Sequence, residues 1–277
     1  MQRSANPLGW WCAMKRPLTH LPPWGAIALL LALAGALAWA AATASAPPPP
    51  RVPEEVQNAT DEKGEKLYGD LALYHRISDR VAAGEDYYAV TVEEHRKGDY
   101  PTIPFVTVRP PTLAWLHAAI GDTGLQILAI IALLGTTLAW ERKLADRANL
   151  AERTAAAICL AMSATTVFTP RVLLMHDITS GLLLSLAMGI YTPRRWWPAL
   201  LVAAAAIFIR ELAAPFVALW LAFAVMDRRW REAVAVAALM CAVALALYLH
   251  AGAVAAVRLP TDMPSPGWTG MLGLEWV

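Results

Sequence analysis

Ionisable side chains interrupt the apolar runs of this sequence. His176 and Asp177 stand inside one apolar run, Arg171 directly precedes it, and the pair Arg210-Glu211 divides a later one. Ionisable groups at or within membrane-spanning segments are costly to bury, so they are functional candidates. Structural roles fit as well: Asp177 can form a buried ion pair with Arg171 or Arg210, and Arg210-Glu211 can cap a hairpin with its arginine reaching the interface.

Asp70 is a candidate general base outside the apolar runs. The spacing of apolar residues predicts an amphipathic helix over Leu67–Val81, on which Asp70 shares a face with Tyr74. A carboxylate on that face is expected to point into a cleft or toward the membrane boundary, where it can take the proton of a hydroxyl group. A solvated helix residue is the alternative interpretation. His95 and His117 are interpreted as ordinary loop or surface residues.

Composition identifies the class of protein that must position these residues. The 277 residues include 23 Lys and Arg against 22 Asp and Glu, with 57% hydrophobic and 16% charged residues, and the mean hydropathy is +0.43. Soluble domains average about 25% charged residues, so we predict an integral membrane protein. The near-neutral charge argues against nucleic acid as a partner. The three cysteines show no metal-site or disulfide spacing, and no metal ligands are predicted.

Seven apolar runs approach the length of a membrane-spanning helix. They are Trp24–Ala42, Thr123–Trp140, Thr154–Phe168, Val172–Tyr191, Trp196–Ile209, Leu212–Met226 and Ala233–Val257. Lys and Arg concentrate before the first run and in the connections 141–153, 192–195 and 227–232, which favours the cytoplasmic side for all four segments. We therefore predict an all-α, multi-pass protein of the bacterial inner membrane, with about seven transmembrane helices and a cytoplasmic N-terminus.

The predicted spans divide the chain. Residues 1–23 form a cytoplasmic segment and 24–42 the first transmembrane helix, taken as uncleaved although its end resembles a signal-peptide site. Residues 43–121 form a large external, periplasmic loop that contains the amphipathic helix. Residues 122–257 hold six further transmembrane helices. Residues 258–277 form an external C-terminal segment. Because the chain stops within this segment, we expect it to be a truncated form of a longer protein.

The external loop carries motifs in a familiar order. Gly69-Asp70-Leu71-Ala72-Leu73-Tyr74-His75 is followed by Gly84-Glu85-Asp86-Tyr87-Tyr88, and Arg109-Pro110-Pro111-Thr112-Leu113 leads toward the second span. From about residue 28 to residue 216, the chain resembles the integral-membrane glycosyltransferases of the GT-C fold, in particular the bacterial mannosyltransferase-like members that use polyprenyl-phosphate sugars. It departs from them at Asp70, which lacks the acidic neighbour that is frequent there, and in having fewer spans.

The resemblance implies transfer of a sugar from a polyprenyl-phosphate donor to a hydroxyl of a glycan or lipid acceptor at the periplasmic face. It gives Asp70 the role of the catalytic base or of the carboxylate that orients the acceptor, and it assigns the donor phosphate to Arg171 and Arg210. The remaining predicted substrate-binding residues are Arg109, Glu211, His176, Asp177 and Tyr74. No fixed cofactor is implied. A divalent cation, which some members require, is left open, since the acidic residues form no recognisable cage.

Two other classes of function remain open. A non-catalytic membrane protein, such as a transporter, a flippase or an inactive GT-C-like subunit, would use the ionisable residues along a substrate path. A polar cavity in mid-membrane with Asp70 in solvent would favour it, whereas a buried Asp70 in an ordered loop would favour the transferase. A receptor would need a folded sensor core within residues 43–121, which could hold only a small one.

Overall fold

The structure, a computed structural model, describes residues 69–146, 148–163 and 168–265, together with part of the first apolar run between Trp24 and Gly35. About 80% of it is helical and none of the described chain forms a strand, which confirms the all-α class. Residues 1–23, 36–68 and 266–277 lie outside the described residues, and so do the predictions made for them. The described residues from 69 to 264 belong to one compact unit.

Two helices form a hairpin in the predicted external loop. Helix α1, Asp70–Ala82, confirms the predicted amphipathic helix, and Gly84 follows its end with a φ of +97°, a left-handed conformation that glycine adopts readily. Helix α2, Tyr87–Lys97, is capped by Asp86, whose Oδ1 accepts from the Ala89 N–H at 2.9 Å. The hairpin has its own small apolar core, formed by Leu73, Ile77, Val81, Tyr87, Val90 and Ala114.

Helix α3, Thr112–Leu144, consists of two parts that meet at Gly121, where φ is 67° and ψ is −179°. The first part packs against the hairpin, since Leu113, Ala114 and His117 are buried. The second part contains the predicted second span. The backbone break therefore separates a segment that belongs to the external hairpin from the apolar helix that follows it.

The remaining helices pack into a bundle. They are α4, Leu150–Ser163, α5, His176–Ile190, α6, Trp197–Ile209, α7, Ala214–Met226, and α8, Trp230–Val257. The predicted boundary between two helices at Arg210-Glu211 is confirmed, because α6 ends at Ile209 and a 3₁₀ turn precedes α7. Ala199 and Ala203 of α6 are fully buried and pack in the same apolar core as Val217 and Val236. Small side chains at such positions let helices approach closely.

Among the residues that the structure describes, two helices are long and apolar enough to cross a membrane: α3 with the turn that precedes it, and α8. Only 11% and 22% of their most apolar windows are buried, so neither resembles the enclosed core helix of a soluble protein. Apolar side chains stand exposed along both, among them Ile127, Ile131, Leu134 and Leu138 on α3 and Leu245, Tyr248 and Leu249 on α8. Helices α5 to α7 are apolar but shorter, about 20 Å long at 1.5 Å per residue.

A buried carboxylate holds together the end of the bundle that carries the basic connections. Glu232 of α8 is 1% exposed and accepts from the Tyr191 hydroxyl at 3.0 Å and from Trp220 Nε1 at 2.5 Å. Arg229 also bonds to Glu232 and to Tyr191, and Lys143 Nζ donates to the Tyr191 carbonyl at 3.3 Å. The ends of α3 and α5, the middle of α7 and the start of α8 therefore meet here.

Candidate functional site

The opposite end of the bundle carries a cluster of charged residues. Arg210 Nε donates to Asp177 Oδ1 at 2.7 Å, and Arg210 Nη1 donates to Glu211 Oε1 at 2.8 Å. Arg210 is 5% exposed, so it does not extend to the surface as an interfacial anchor would. The side chain of Asp177 is 58% exposed, which leaves the carboxylate at the open edge of the cluster.

Helix ends create this arrangement. Asp177 is the second residue of α5, where a negative charge is stabilised by the free N–H groups of the first turn. Arg210 is the C-cap of α6, with φ −142° and ψ 112°, and a positive charge is favoured beside the last carbonyls of a helix. Because α5 and α6 run in opposite directions, the start of one meets the end of the other. Asp177 therefore pairs with Arg210, one of the two partners considered, but its carboxylate is exposed, so this is not the buried ion pair of that alternative.

A second arginine connects this cluster to the external hairpin. Arg109 Nη1 lies 3.7 Å from Glu211 Oε1, and Arg109 Nε donates to the Tyr74 hydroxyl at 3.1 Å. Burial raises the pKa of the Tyr74 hydroxyl, although the adjacent Arg109 charge opposes the shift. The phenol therefore stays protonated at neutral pH. The ring of Tyr74 meets the buried ring of His176 edge to face, at 4.9 Å between centroids.

These contacts bring six of the eight predicted site residues together from four parts of the chain. They are Tyr74, Arg109, His176, Asp177, Arg210 and Glu211, referred to below as the arginine cluster. Asp70 lies one helical turn before Tyr74. The backbone of Arg171 lies in the 3₁₀ turn Pro170–Leu174, while its side chain lies outside the part of the chain that the structure describes.

Asp70 is exposed, so the expectation that it points into a cleft is wrong. The reason is its place in the helix. Asp70 is the first residue of α1, and helical side chains lean toward the N-terminus, so its carboxylate projects beyond the hairpin core. Burial, followed by the charge of the nearby Asp70, raises the pKa of the Tyr100 hydroxyl to about 12.

Histidines expected at the surface are buried. His95 is enclosed in the hairpin, where its Nδ1 meets the Thr91 carbonyl at 2.7 Å, and burial lowers its pKa, so the ring is neutral at neutral pH. His117 is buried because the first part of α3 packs on the hairpin, and its Nε2 lies 3.0 Å from Asp122 Oδ1. The interpretation of both as ordinary surface residues is wrong.

A sequence signal for α2 existed. Tyr87, Val90, Thr91, Glu94 and His95 follow helical spacing and are the buried face of the helix. Asp86 ahead of them is a strong N-cap residue. Tyr100 had no such signal, because its place beside Asp70 depends on how the hairpin folds. Within the described ranges, no group of three or more His, Cys, Asp or Glu side chains is arranged to hold a metal ion.

Comparisons with protein-family models, with curated proteins and with solved structures find no match. Function is therefore inferred from the site itself. The cluster contains two arginines, Arg109 and Arg210, and two carboxylates, Asp177 and Glu211. An anionic group can bind to these arginines if it takes the place of one carboxylate. The exposed carboxylate of Asp70 can accept a proton from a hydroxyl group of a molecule in the aqueous phase.

Proposed function

We propose that this chain is a multi-pass membrane glycosyltransferase of the GT-C type, which moves a sugar from a polyprenyl-phosphate donor to a hydroxyl group of a glycan or lipid acceptor. The observation that carries the proposal is the arginine cluster at one end of the apolar bundle, with Asp70 one helical turn from Tyr74. A lipid-linked substrate would keep its chain beside the exposed apolar faces and present its phosphate at this end.

The proposed membrane arrangement uses all seven apolar runs as spans in a bacterial inner membrane. The arginine cluster and the hairpin then face the periplasm, and the end held by Glu232 faces the cytoplasm, where basic connections are favoured. Helices α5 to α7 are short for a bilayer of about 30 Å. They are accommodated by local thinning or by the surrounding longer helices.

Asp177 is the residue that the donor phosphate would replace. Its carboxylate is exposed and shares Arg210 with the more enclosed Glu211. A phosphate oxygen in its place would meet Arg210 Nε, and Arg109 would add a second positive charge nearby. Both guanidinium groups then stabilise the charge that develops on the phosphate as it leaves.

Asp70 acts as the base in this account. Its carboxylate takes the proton of the acceptor hydroxyl, the hydroxyl oxygen bonds to the sugar C1, and the bond between C1 and the phosphate oxygen breaks. The lipid phosphate departs with the electron pair, and the configuration at C1 inverts. An exposed position suits an acceptor that arrives from water.

Binding of polyprenyl phosphate to the purified chain in nanodiscs tests the proposed donor site. Arg210→Gln should weaken binding at least tenfold, the effect of about 1.4 kcal/mol, because a charge-assisted bond is lost. Asp177→Asn should instead tighten binding, since it removes the competing carboxylate. Equal weakening by both substitutions would mean that the ion pair is structural and would overturn the donor site.

A second candidate function is a non-catalytic protein that binds or moves the same lipid, and the exposure of Asp70 favours it. Against it stands the position of the charges. In the described helices α5 to α8, every Asp, Glu, Lys and Arg lies within three residues of a helix end, so no ionised side chain marks a path through the middle. Sugar transfer by the purified chain separates the two candidates.

A further inference from the structure

Five exposed arginines lie at the end of the bundle that the buried Glu232 holds together. They come from the end of α3, from the connection between α5 and α6, and from the connection between α7 and α8 with the first turn of α8. They are Arg142, Arg194, Arg195, Arg228 and Arg231, referred to below as the basic surface. Within the part of the chain that the structure describes, none of the five forms an ion pair.

Each acid that is adjacent in the sequence to one of these arginines is paired with a different arginine. Glu141 pairs with Arg153, and Asp227 Oδ2 lies 3.3 Å from Arg229 Nη2. Glu232 also pairs with Arg229. Because guanidinium groups stay protonated at any physiological pH, the five arginines of the basic surface carry positive charge that these acids do not neutralise. Such a surface attracts an anionic partner.

Contacts around Tyr191 bring the three parts of the basic surface to one end of the bundle. Tyr191 begins the connection between α5 and α6, and its hydroxyl bonds to Arg229 of the next connection and donates to Glu232 at 3.0 Å. The Arg229 guanidinium lies over the Tyr191 ring, 5.9 Å from the ring centroid. From the end of α3, Lys143 Nζ donates to the Tyr191 carbonyl at 3.3 Å. The segments that carry the exposed arginines are therefore neighbours.

Arg228 has a backbone conformation that disfavours a side chain. Helix α7 ends at Met226, and the N–H groups of Arg228 and Arg229 donate to carbonyls of its last turn at 3.0 and 2.8 Å. This pattern places a left-handed residue, most often glycine, at the position of Arg228, where φ is 58°. Strain of this kind is found where a side chain has a function. The conformation thus supports a binding role for the Arg228 guanidinium.

Exposed tryptophans accompany the arginines. Trp197 is the first residue of α6 and Trp230 the first residue of α8, and they are 58% and 60% exposed. Tryptophan is enriched at the level of lipid headgroups, where its ring contacts apolar chains and its N–H reaches a polar group. Each of the two connections therefore combines two exposed arginines with one exposed tryptophan at the start of an apolar helix.

We propose that the basic surface binds the headgroups of anionic phospholipids. Arginine holds a phosphate group through two parallel N–H bonds, and the rings of Trp197 and Trp230 contact the apolar part of the same lipids. A soluble phosphate offers these rings nothing to contact. Basic connections that only orient the spans require neither the strained backbone of Arg228 nor exposed tryptophans beside the arginines.

The basic surface is separate from the arginine cluster, which lies at the opposite end of the bundle. In the membrane arrangement proposed above, the bound phospholipids belong to the inner leaflet. The inference rests on that arrangement and does not depend on sugar transfer.

Thermal unfolding of the full chain in dodecyl maltoside, titrated with phosphatidylglycerol, tests the basic surface. Phosphatidylglycerol should raise the Tm, because a ligand of the folded state stabilises it, and the rise should shrink at high salt. Phosphatidylcholine, which has no net charge, and inorganic phosphate should leave the Tm nearly unchanged at the same concentration. An equal rise with either of them would overturn the proposal.

Arg228→Gly separates binding from folding. Glycine relieves the strain at a φ of 58°, so this variant should unfold at or above the wild-type Tm without lipid. Its affinity for phosphatidylglycerol should nevertheless fall about fivefold, the usual contribution of one basic residue near anionic lipid. Arg194→Gln should have a similar effect on affinity, and the double variant should lose roughly 25-fold if the two contributions add.

Arg258→Gln is the matched control, because it removes the same charge at the other end of α8 and should leave the affinity for phosphatidylglycerol unchanged. Wild-type affinity in the double variant, or an equal loss in Arg258→Gln, would overturn the proposal. Arg210→Gln distinguishes this surface from the proposed donor site. It should weaken the binding of polyprenyl phosphate and leave that of phosphatidylglycerol unchanged, so failure of one site is detected independently of the other.

Discussion

Arg210 and Asp177 are 33 residues apart in the chain, yet Arg210 Nε donates to Asp177 Oδ1 over 2.7 Å. The two side chains differ strongly in exposure, since the arginine is enclosed and the carboxylate is open to solvent. An ion pair that only stabilises the fold does not require one enclosed and one exposed partner. In the proposed function it has a purpose, because the exposed partner is the one that an incoming phosphate can replace.

Loss of Glu232 should destabilise the bundle far more than loss of a surface acid. Glu232→Ala leaves Arg229 without its buried partner and removes the acceptor of Tyr191 and Trp220, a loss of about 3–5 kcal/mol. Thermal unfolding of the chain in detergent should show a large fall in Tm. Asp146→Asn, an exposed acid at the same end, should leave Tm nearly unchanged, and equal effects would contradict the buried network.

Gly121 should resist replacement because of its backbone conformation alone. A Cβ at this position meets nothing within 4 Å, but its φ of 67° with ψ of −179° is a region that residues with side chains rarely enter. Gly121→Ala should therefore cost about 1–3 kcal/mol. Gly252→Ala on α8 also has open space and lacks a positive φ, so it should be neutral or stabilise the chain by up to about 1 kcal/mol.

Arg96 and Asp262 should make one contact of the hairpin sensitive to acid. Arg96 Nε and Nη2 donate to the Asp262 carboxylate at 2.7 and 3.1 Å, and this guanidinium holds the pKa of Asp262 below its usual value of 3.8. The contact is then fully formed above pH 3.8 and is lost as the pH falls through the lowered pKa. Beside it, the Thr102 N–H donates to the Met263 carbonyl at 3.1 Å.

The measurement is the amide exchange rate of Thr102 as a function of pH. Protection in the wild type should decrease below pH 3.8 more steeply than in Asp262→Asn, which should already be less protected at neutral pH. Asp99→Asn is the control, because Asp99 is exposed and its positive φ suits asparagine. Wild-type behaviour in Asp262→Asn would contradict a role for the ion pair.

Local patterns predicted the helices well. Apolar runs ended at charged or proline residues, so the bounds of α6 and α7 and the turn at Arg210 followed from the sequence. Helix α2 was missed, because its buried face includes Thr91, Glu94 and His95, and polar residues in a core are recognised only when their partners are known. The buried Glu94, for example, is held by Arg76 and Arg80 of α1.

The sequence predicted most residues of the site, but it did not predict how they are arranged in space. Ionisable residues at the ends of apolar runs indicated Arg210, Asp177 and His176, since such residues need partners. The predicted burial of Asp70 was wrong, because helical spacing shows which face a residue occupies but not where the helix begins. Asp70 is the first residue of its helix, so its side chain is exposed. The proximity of Tyr100 to Asp70 depends on tertiary packing, which no local pattern encodes.

The most direct test of the central claim is sugar transfer by the purified chain in proteoliposomes, supplied with labelled polyprenyl-phosphate mannose and membrane glycans or glycolipids as acceptors. We expect transfer by the wild type, loss of at least a hundredfold in Asp70→Asn, the usual scale of a general base, and an unchanged rate in Asp79→Asn, an exposed acid on the same helix. Both variants should unfold at the wild-type temperature. Transfer that persists in Asp70→Asn would remove Asp70 as the base. No transfer by the folded wild type, with polyprenyl phosphate still bound, would contradict the transferase and favour the lipid-binding alternative.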